Sequence, residues 1–283
     1  MNSFSIVTVV YNDVTHIRET MDSIINQTHR NIEYIIIDGG STDGTKEAIL
    51  EYIAPCANIT KEEKDDTRLY LEAIHKEHPS ISFKLLSEKD KGIYDAMNKG
   101  ITLATKEWIN FMNCGDRFYD LDVLEKVARE DIAGYDVVYG KTQIVYTEAL
   151  SIIKTPPQNI YSSLKKFGAN LIHQSVFFKT HLHKQLPYDV KNYKLASDYD
   201  LIYQFYNHNC SFKSLTLIIS IFHTGGSSDI QGILRTNETF QIAKKHNLNL
   251  FYLIFYYCFA MTKKIMKSYM HPKILNKLLW LQK

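Results

Sequence analysis

Ile32-Glu33-Tyr34-Ile35-Ile36-Ile37-Asp38-Gly39-Gly40-Ser41-Thr42-Asp43-Gly44-Thr45 decides the fold. Its first six residues are mostly apolar and β-branched, without alternation, and so read as a strand buried on both faces. The run stops in a carboxylate and two glycines. Asp43 can then cap a helix that reaches about Ile53. Working outward, the same unit recurs. Phe4 to Tyr11 is a second buried strand, followed by the cap Asn12-Asp13 and by Ile17, Met21, Ile24 and Ile25 at helical spacing. Ile81 to Leu86 is another strand, and Gly92 to Ala104 a helix with Ile93, Met97 and Ile101 on one face. Trp108 to Met112 is the fourth strand, ending in Asn113-Cys114-Gly115-Asp116.

Four alternations of strand and helix predict an α/β fold with a mainly parallel, doubly wound sheet. In such sheets ligands bind beyond the carboxyl ends of the strands. The polar clusters Asn12-Asp13, Asp38-Gly39, Glu88 to Lys91 and Asn113 to Asp116 all fall there. Residues 55–80 are charge-rich and predict an inserted loop and a surface helix. The second half is less regular. Tyr135 to Tyr146 predicts one or two strands, Ser175 to Lys179 and Leu215 to Phe222 a strand each, and Asp198 to Asn207 a helix.

At 283 residues and 45% hydrophobic, the chain has material for one large domain or two small ones. That excludes wholesale disorder, a collagen-like chain and a disulfide miniprotein. The four cysteines form no CxxC pair, which excludes a zinc ribbon and a redox dithiol and suits reduced thiols in a cytosol. The start of the chain lacks a basic region and a long apolar run, so no signal peptide is expected. The formal charge of +2 hides a split: 33 basic residues include eight lysines after Glu238, whereas none of the 31 acidic residues lies there. Residues 1–238 are therefore acidic and the tail strongly basic. An acidic body without a recognition motif excludes nucleic acid as a partner.

No GxGxxG or GxxxxGK[ST] string occurs, so neither a dinucleotide fingerprint nor a P-loop is present. The strand ends offer carboxylates instead: Asp38, Asp90 and Asp116. Such oxygens accept from base N–H or ribose hydroxyl groups and suit Mg²⁺ or Mn²⁺, which bridge phosphates. A nucleoside diphosphate with a metal fits this set better than a bare sugar or a peptide.

Three strings carry a resemblance in order and spacing: Ser5-Ile6-Val7-Thr8-Val9-Val10-Tyr11-Asn12, Asp38 to Thr45, and Ser87-Glu88-Lys89-Asp90-Lys91-Gly92-Ile93-Tyr94-Asp95-Ala96-Met97-Asn98-Lys99-Gly100. Over about residues 4–230 the chain resembles family 2 glycosyltransferases of the GT-A fold, especially bacterial enzymes that build surface polysaccharides such as O-antigen and colanic acid. The resemblance implies inverting transfer from a nucleotide-sugar, with UDP as the first choice. It implies that Thr8, Tyr11 and Asp38 line the base and ribose site and that Asp90 approaches the nucleotide. Asn113-Cys114-Gly115-Asp116 departs from the family's Asp-x-Asp, keeping only the last carboxylate. Asp116 becomes the metal ligand, for Mn²⁺ or Mg²⁺, and Asn113 a neutral oxygen ligand or sugar contact. Asp198 is the implied general base, with Asp200 the alternative. His173 and Gln174 would contact acceptor or donor sugar. His223 would complete the metal shell or touch the diphosphate, and Gly225-Gly226 would let a loop close. Strand packing for Thr8 and Tyr11, a turn for Asp38 and a helix cap for Asp43 or Asp198 stand beside these readings. The weakened metal motif keeps open a non-catalytic nucleotide- or glycan-binding protein on the same fold.

These readings divide the chain into a catalytic unit, 1–238, with a nucleotide-sugar half (1–116) and an acceptor half (117–238), and a tail, 239–283. Leu250 to Met261 is too short for a bilayer, which takes about 20 residues. Flanking lysines and a second apolar stretch ending in Trp280 suit the headgroup boundary. The expectation is a helical, basic-aromatic tail on the cytoplasmic face of an inner membrane, where a lipid-linked (polyprenyl-diphosphate) glycan would be the acceptor. A helix packed on the body is the competing reading.

Overall fold

A computed structural model describes residues 2–166, 171–224 and 232–248, with Tyr257, Cys258 and Thr262. The quoted stretch forms strand β2 (Ile32–Asp38), and the N-terminal run forms β1 (Phe4–Val10); every residue of both is buried. The two pair in parallel, flanked by β5 (Ile81–Glu88) and β6 (Trp108–Phe111), also parallel. Even-numbered Phe4, Ile6 and Val10 face a core shared with helix α1 (Ile17–Ile25) and helix α2 (Thr45–Cys56). Odd-numbered Val7 and Val9 face a second core with helix α3 (Ile93–Leu103). That period-two division is why the strands read as continuously apolar. Glu33, buried in the middle of β2, meets Lys84 at 2.7 Å and accepts from Ser5 and Thr105.

The parallel reading describes the centre of a larger mixed sheet. Among the described residues eleven strands run β3-β4-β5-β2-β1-β6-β10-β8-β11-β7, with β9 on β8. Residues 55–80 supply two of them, where a loop and a surface helix were expected: β3 (Ala57–Lys64) and β4 (Arg68–His75) form an antiparallel hairpin. Leu69, Leu71 and Ala73 are buried at strand spacing, and Asp65 closes the turn by accepting from the Thr67 and Arg68 N–H groups. The charged β3 forms an edge that resists further pairing. In the second half, β7 (Arg117–Phe118), β8 (Val137–Thr147), β9 (Leu150–Lys154), β10 (Val176–Lys179) and β11 (Phe212–His223) complete the sheet. Short helices α4 (Val123–Arg129), α5 (Ile160–Lys166) and α6 (Thr180–Gln185) precede α7 (Ser197–Asn207).

The last described helix, α8 (Gly232–Lys245), runs through the boundary expected at Glu238. Glu238 accepts from the N–H groups of Lys194, Leu195 and Ala196, just ahead of α7. Ile242, Ala243 and Leu248 lie in the core. The folded body therefore continues to Leu248, because α8 supplies both a cap and apolar contacts. Tyr257, inside the apolar tail run, donates to Asn237 at 2.6 Å and packs its ring on Phe240. This contact favours the packed reading for that part of the tail. The remaining tail calls lie outside the described residues.

Helix α3 ties the two halves together. At Gly100 an added Cβ would stand 2.5 Å from Val7 Cγ1, so only glycine permits this approach to β1. Asn98 donates to the Tyr188 carbonyl and accepts from the Tyr188 N–H, both at 3.0 Å. Gly100→Ala is expected to cost about 1–3 kcal/mol in urea unfolding, the usual range for overpacking. Val7→Ala should recover part of that loss in the Gly100→Ala background while destabilising the wild type.

Candidate active site

The loops after β1 and β2 pin each other. Asn12 sits at φ 50°, its N–H donates to Ser41 Oγ, and its Oδ1 accepts from Thr42 N–H. Asp43 accepts from Thr45 and Val14 and so shapes this loop at the start of α2. The Tyr11 ring stands 64% exposed above this junction. Asp90 reaches the same place from the end of β5: an added Cβ on Gly39 would meet its Oδ2 at 2.3 Å. Its Oδ1 accepts from Gly92 N–H at 2.8 Å, and burial pushes its carboxyl above the ordinary value.

Two expected nucleotide contacts are turned inward. Thr8 is fully buried; its hydroxyl donates to the Met112 carbonyl at 2.7 Å and accepts from Tyr34 at 3.0 Å. Asp38 is also fully buried, its carboxylate taken by Ser87 Oγ at 2.6 Å and the Ser41 N–H. Both shape the floor of the site, since their hydrogen-bonding groups are already engaged and shielded from solvent. Tyr11 and Asp90 are the groups left at the mouth.

The turn after β6 holds the second cluster. Gly115 adopts φ 90°, and Thr20 of α1 braces the turn by accepting from Gly115 N–H and donating to the Asp116 carbonyl. Asp116 is 6% exposed and accepts from Gln174 Nε2 at 2.6 Å and from the backbone N–H of His223 at 3.2 Å. Burial drives its carboxyl up to about 7, against the pull of these two neutral donors. Gln174, expected on the sugar, is buried and holds Asp116 instead. His223 is exposed, and its Nδ1 lies 2.9 Å from the Gly115 carbonyl. In the same turn Asn113 Oδ1 is buried without a hydrogen-bond partner.

This donor set fits a divalent cation. Among the described residues the buried Asp116 carboxylate has neutral donors, the His223 imidazole lies against the same turn, and the Asn113 Oδ1 stands unpaired. No group of three His, Cys, Asp or Glu side chains capable of holding a metal occurs among the described residues, so these groups would hold a cation only as part of its coordination shell. Diphosphate oxygens and water would complete it.

The acceptor side begins at α7. Asp198 is half-buried in its first turn, and its Oδ1 accepts from the Tyr94 hydroxyl at 2.9 Å. Asp200, the alternative base, is withdrawn: it is fully buried and bonded to Lys245, His246 and Gln204. Burial alone would raise its carboxyl, but these donors hold it below the ordinary value. The two aspartates point apart because two helical residues are about 200° apart. His173 is likewise a core residue. It is buried, stacks on Phe111 at 4.9 Å and bonds the Tyr188 hydroxyl, and burial lowers its pKa to about 4. Sequence reading missed Thr20, Tyr94, Asn98, Tyr188 and Glu238; Tyr94 and Asn98 lay inside a quoted string, but their partners are about 100 and 90 residues away. The Gly225-Gly226 loop lies outside the described residues.

Asp116 makes a stability prediction. Its folded pKa is raised, so the unfolded chain loses its proton first. From about pH 4 upward the buried charge weakens the fold, and the loss is complete above about 7. Asp116→Asn imitates the protonated form. It should melt higher than wild type at pH 8 in metal-free buffer, with the advantage shrinking toward pH 4.

Comparison with known proteins matches the chain to a family. The model described as Glycosyl transferase family 2 matches residues 5–64 and 59–184. A PGL/p-HBAD biosynthesis glycosyltransferase of Mycobacterium bovis is 27% identical over 230 residues, covering 78% of this chain and 73% of its own. An uncharacterized glycosyltransferase of Mycobacterium tuberculosis is 30% identical over 208 residues, covering 70% and 66%. Among solved structures, S. aureus TarS aligns with TM-score 0.58 and 17% identity over 88% of this chain, which spans 40% of TarS. A mannosyltransferase of Pyrobaculum calidifontis, in complex with GDP-Man and Mn²⁺, aligns with TM-score 0.60 and 17% identity over 86% of this chain and 63% of its own. At these identities the structures establish the shared GT-A fold. With the family match spanning well over half of its residues, the chain belongs to glycosyl transferase family 2 and is a glycosyltransferase.

Proposed function

We propose that this enzyme transfers a sugar, with inversion, from a UDP-sugar to a lipid-linked (polyprenyl-diphosphate) glycan in bacterial surface polysaccharide synthesis. The observation that carries the reading is the cluster at the end of β6: Asp116, buried with neutral donors among the described residues, bonded to Gln174 and to the backbone of the exposed His223. Asp198 stands on the acceptor side of the same sheet end. The two are linked through Gln174, its neighbour His173, Tyr188 and Tyr94.

Tyr11 offers an exposed ring for the base, and Asp90 and Asn113 offer acceptor oxygens for ribose or donor sugar. Asp116 and His223 would hold Mn²⁺ or Mg²⁺, which when bound neutralises charge on the departing diphosphate. The acceptor oxygen attacks the anomeric carbon as Asp198 takes its proton. The bond from that carbon to the diphosphate breaks, and the nucleoside diphosphate leaves with its electron pair. An α-linked donor then gives a β-linked product. The Mn²⁺ of the mannosyltransferase structure supports the metal, and the UDP-GlcNAc complex of TarS supports UDP.

The acid-free lysines after residue 249 support attachment to the cytoplasmic face of the membrane. No helix among the described residues is long and apolar enough to cross a membrane.

A panel of UDP- and GDP-sugars, assayed for hydrolysis with Mn²⁺ or with EDTA, tests the donor and the metal together. Turnover of a UDP-sugar that EDTA suppresses at least tenfold is the expected result. Turnover of GDP-sugars alone overturns the donor, and EDTA-resistant turnover overturns the metal role. Flotation with phosphatidylglycerol vesicles tests the tail. The full chain should float at low salt and release at high salt, whereas a chain ending at Asn249 should stay at the bottom; equal behaviour of the two removes the membrane reading.

A further inference from the structure

We propose that Tyr94 is a positioning residue for the general base: its hydroxyl holds one oxygen of Asp198 so that the other faces the acceptor. The proposal rests on Asp198 being the base.

Tyr94 lies two residues beyond Gly92, at the start of α3. Its hydroxyl reaches Asp198 Oδ1 at 2.9 Å, across 104 residues of sequence. The side chain is 7% exposed and its ring stacks on Tyr188, centroid to centroid 5.2 Å. Tyr188 is fixed in turn: its backbone is gripped on both sides by Asn98, and its hydroxyl bonds His173. The Tyr94 ring therefore has no free direction in which to swing. Burial, and then the charge of Asp198, hold the phenol well above its ordinary value, so it donates at every working pH. Asp198 is only half-buried, and its other oxygen, Oδ2, is the one that would meet the incoming hydroxyl.

A ring alone could be supplied by phenylalanine; what phenylalanine lacks is the donor. A hydrogen bond to a carboxylate favours the charged form, so its loss removes base on the acid side of the rate profile. The hydroxyl also fixes the carboxylate's rotation, which proton transfer requires. The same helix start carries the donor-side loop, since Gly92 N–H donates to Asp90 and Lys91 N–H donates to Asp95. Donor loop and base orientation thus share one rigid support.

Asp116, raised by burial to about 7, titrates in the same range and is common to wild type and every variant, so the acid limb is read as a difference between them. From α3 and from the segment before α7, Tyr94 and Tyr188 are both raised by burial and by Asp198. From the turn before β10, burial keeps His173 neutral down to about 4. From α8, Arg235 contributes a constant positive charge near Tyr94. Lys154 of β9, near Arg235 and lowered by burial to about 8, titrates on the alkaline side.

The test is the pH dependence of kcat for hydrolysis of the nucleotide-sugar chosen by the donor panel, on the full chain, with water in place of the acceptor hydroxyl. Tyr94→Phe should lower kcat about tenfold, leave the donor KM within about twofold, and move the acid limb up by about half to one pH unit. Tyr188→Phe, which loosens the same aromatic wall without touching Asp198, should leave the limb in place. A wild-type profile in Tyr94→Phe overturns the proposal, as does an equal limb shift in Tyr188→Phe. A fall in Tm of more than about 10 °C in Tyr94→Phe also overturns it, because the hydroxyl would then serve the fold. Asp198→Asn separates the two levels. If it loses turnover while Tyr94→Phe is silent, only Tyr94 is misassigned; if it keeps turnover, the base reading itself falls.

Discussion

The close approach of helix α3 to the sheet at Gly100 and Val7 is the contact on which the site depends. Without a Cβ at residue 100, the helix settles against β1, and its other residues are carried to fixed addresses. Asn98 reads both backbone groups of Tyr188 and so joins the acceptor half to the nucleotide half. Lys99 ties the helix to Glu88 at 2.8 Å. Tyr94 crosses to Asp198, and the turn ahead of it places Asp90 at the mouth. A string that resembles a donor motif is thus also the scaffold that aligns the two halves of the reaction.

The base helix has a second support. Helix α8 lays Glu238 over the backbone ahead of α7 and sends Lys245 and His246 to Asp200. Removing Asp200 would take away the acceptor that Lys245 and His246 share in the core beneath α7. The arrangement makes the last described helix part of the catalytic body. Asp116 is the opposite case: a carboxylate kept buried among neutral donors, where its charge weakens the fold.

Much of this was legible in the sequence. Buried strands announced themselves as β-branched runs, the strand ends named Asp38, Asp90 and Asp116, and the family resemblance added Tyr11 and Asn113. The hairpin at 55–80 was not legible, since the charges of β3 mask a strand whose partner is only visible in space. The inward turn of Thr8 and Asp38 was not legible either, because alternation along a strand tells parity and not which face meets a ligand.

The sequence by itself determined the layered α/β order, the carboxyl-end location of the site and the family, because these follow from local periodicity and from motifs a few residues long. Only the tertiary structure buried Asp200 among Lys245, His246 and Gln204 while leaving Asp198 half-buried, set Gln174 and His173 against Asp116 and Tyr188, and carried the body past Glu238. Each of those decisions depends on which buried polar group finds its partner, and here the partners stand tens of residues apart in the chain.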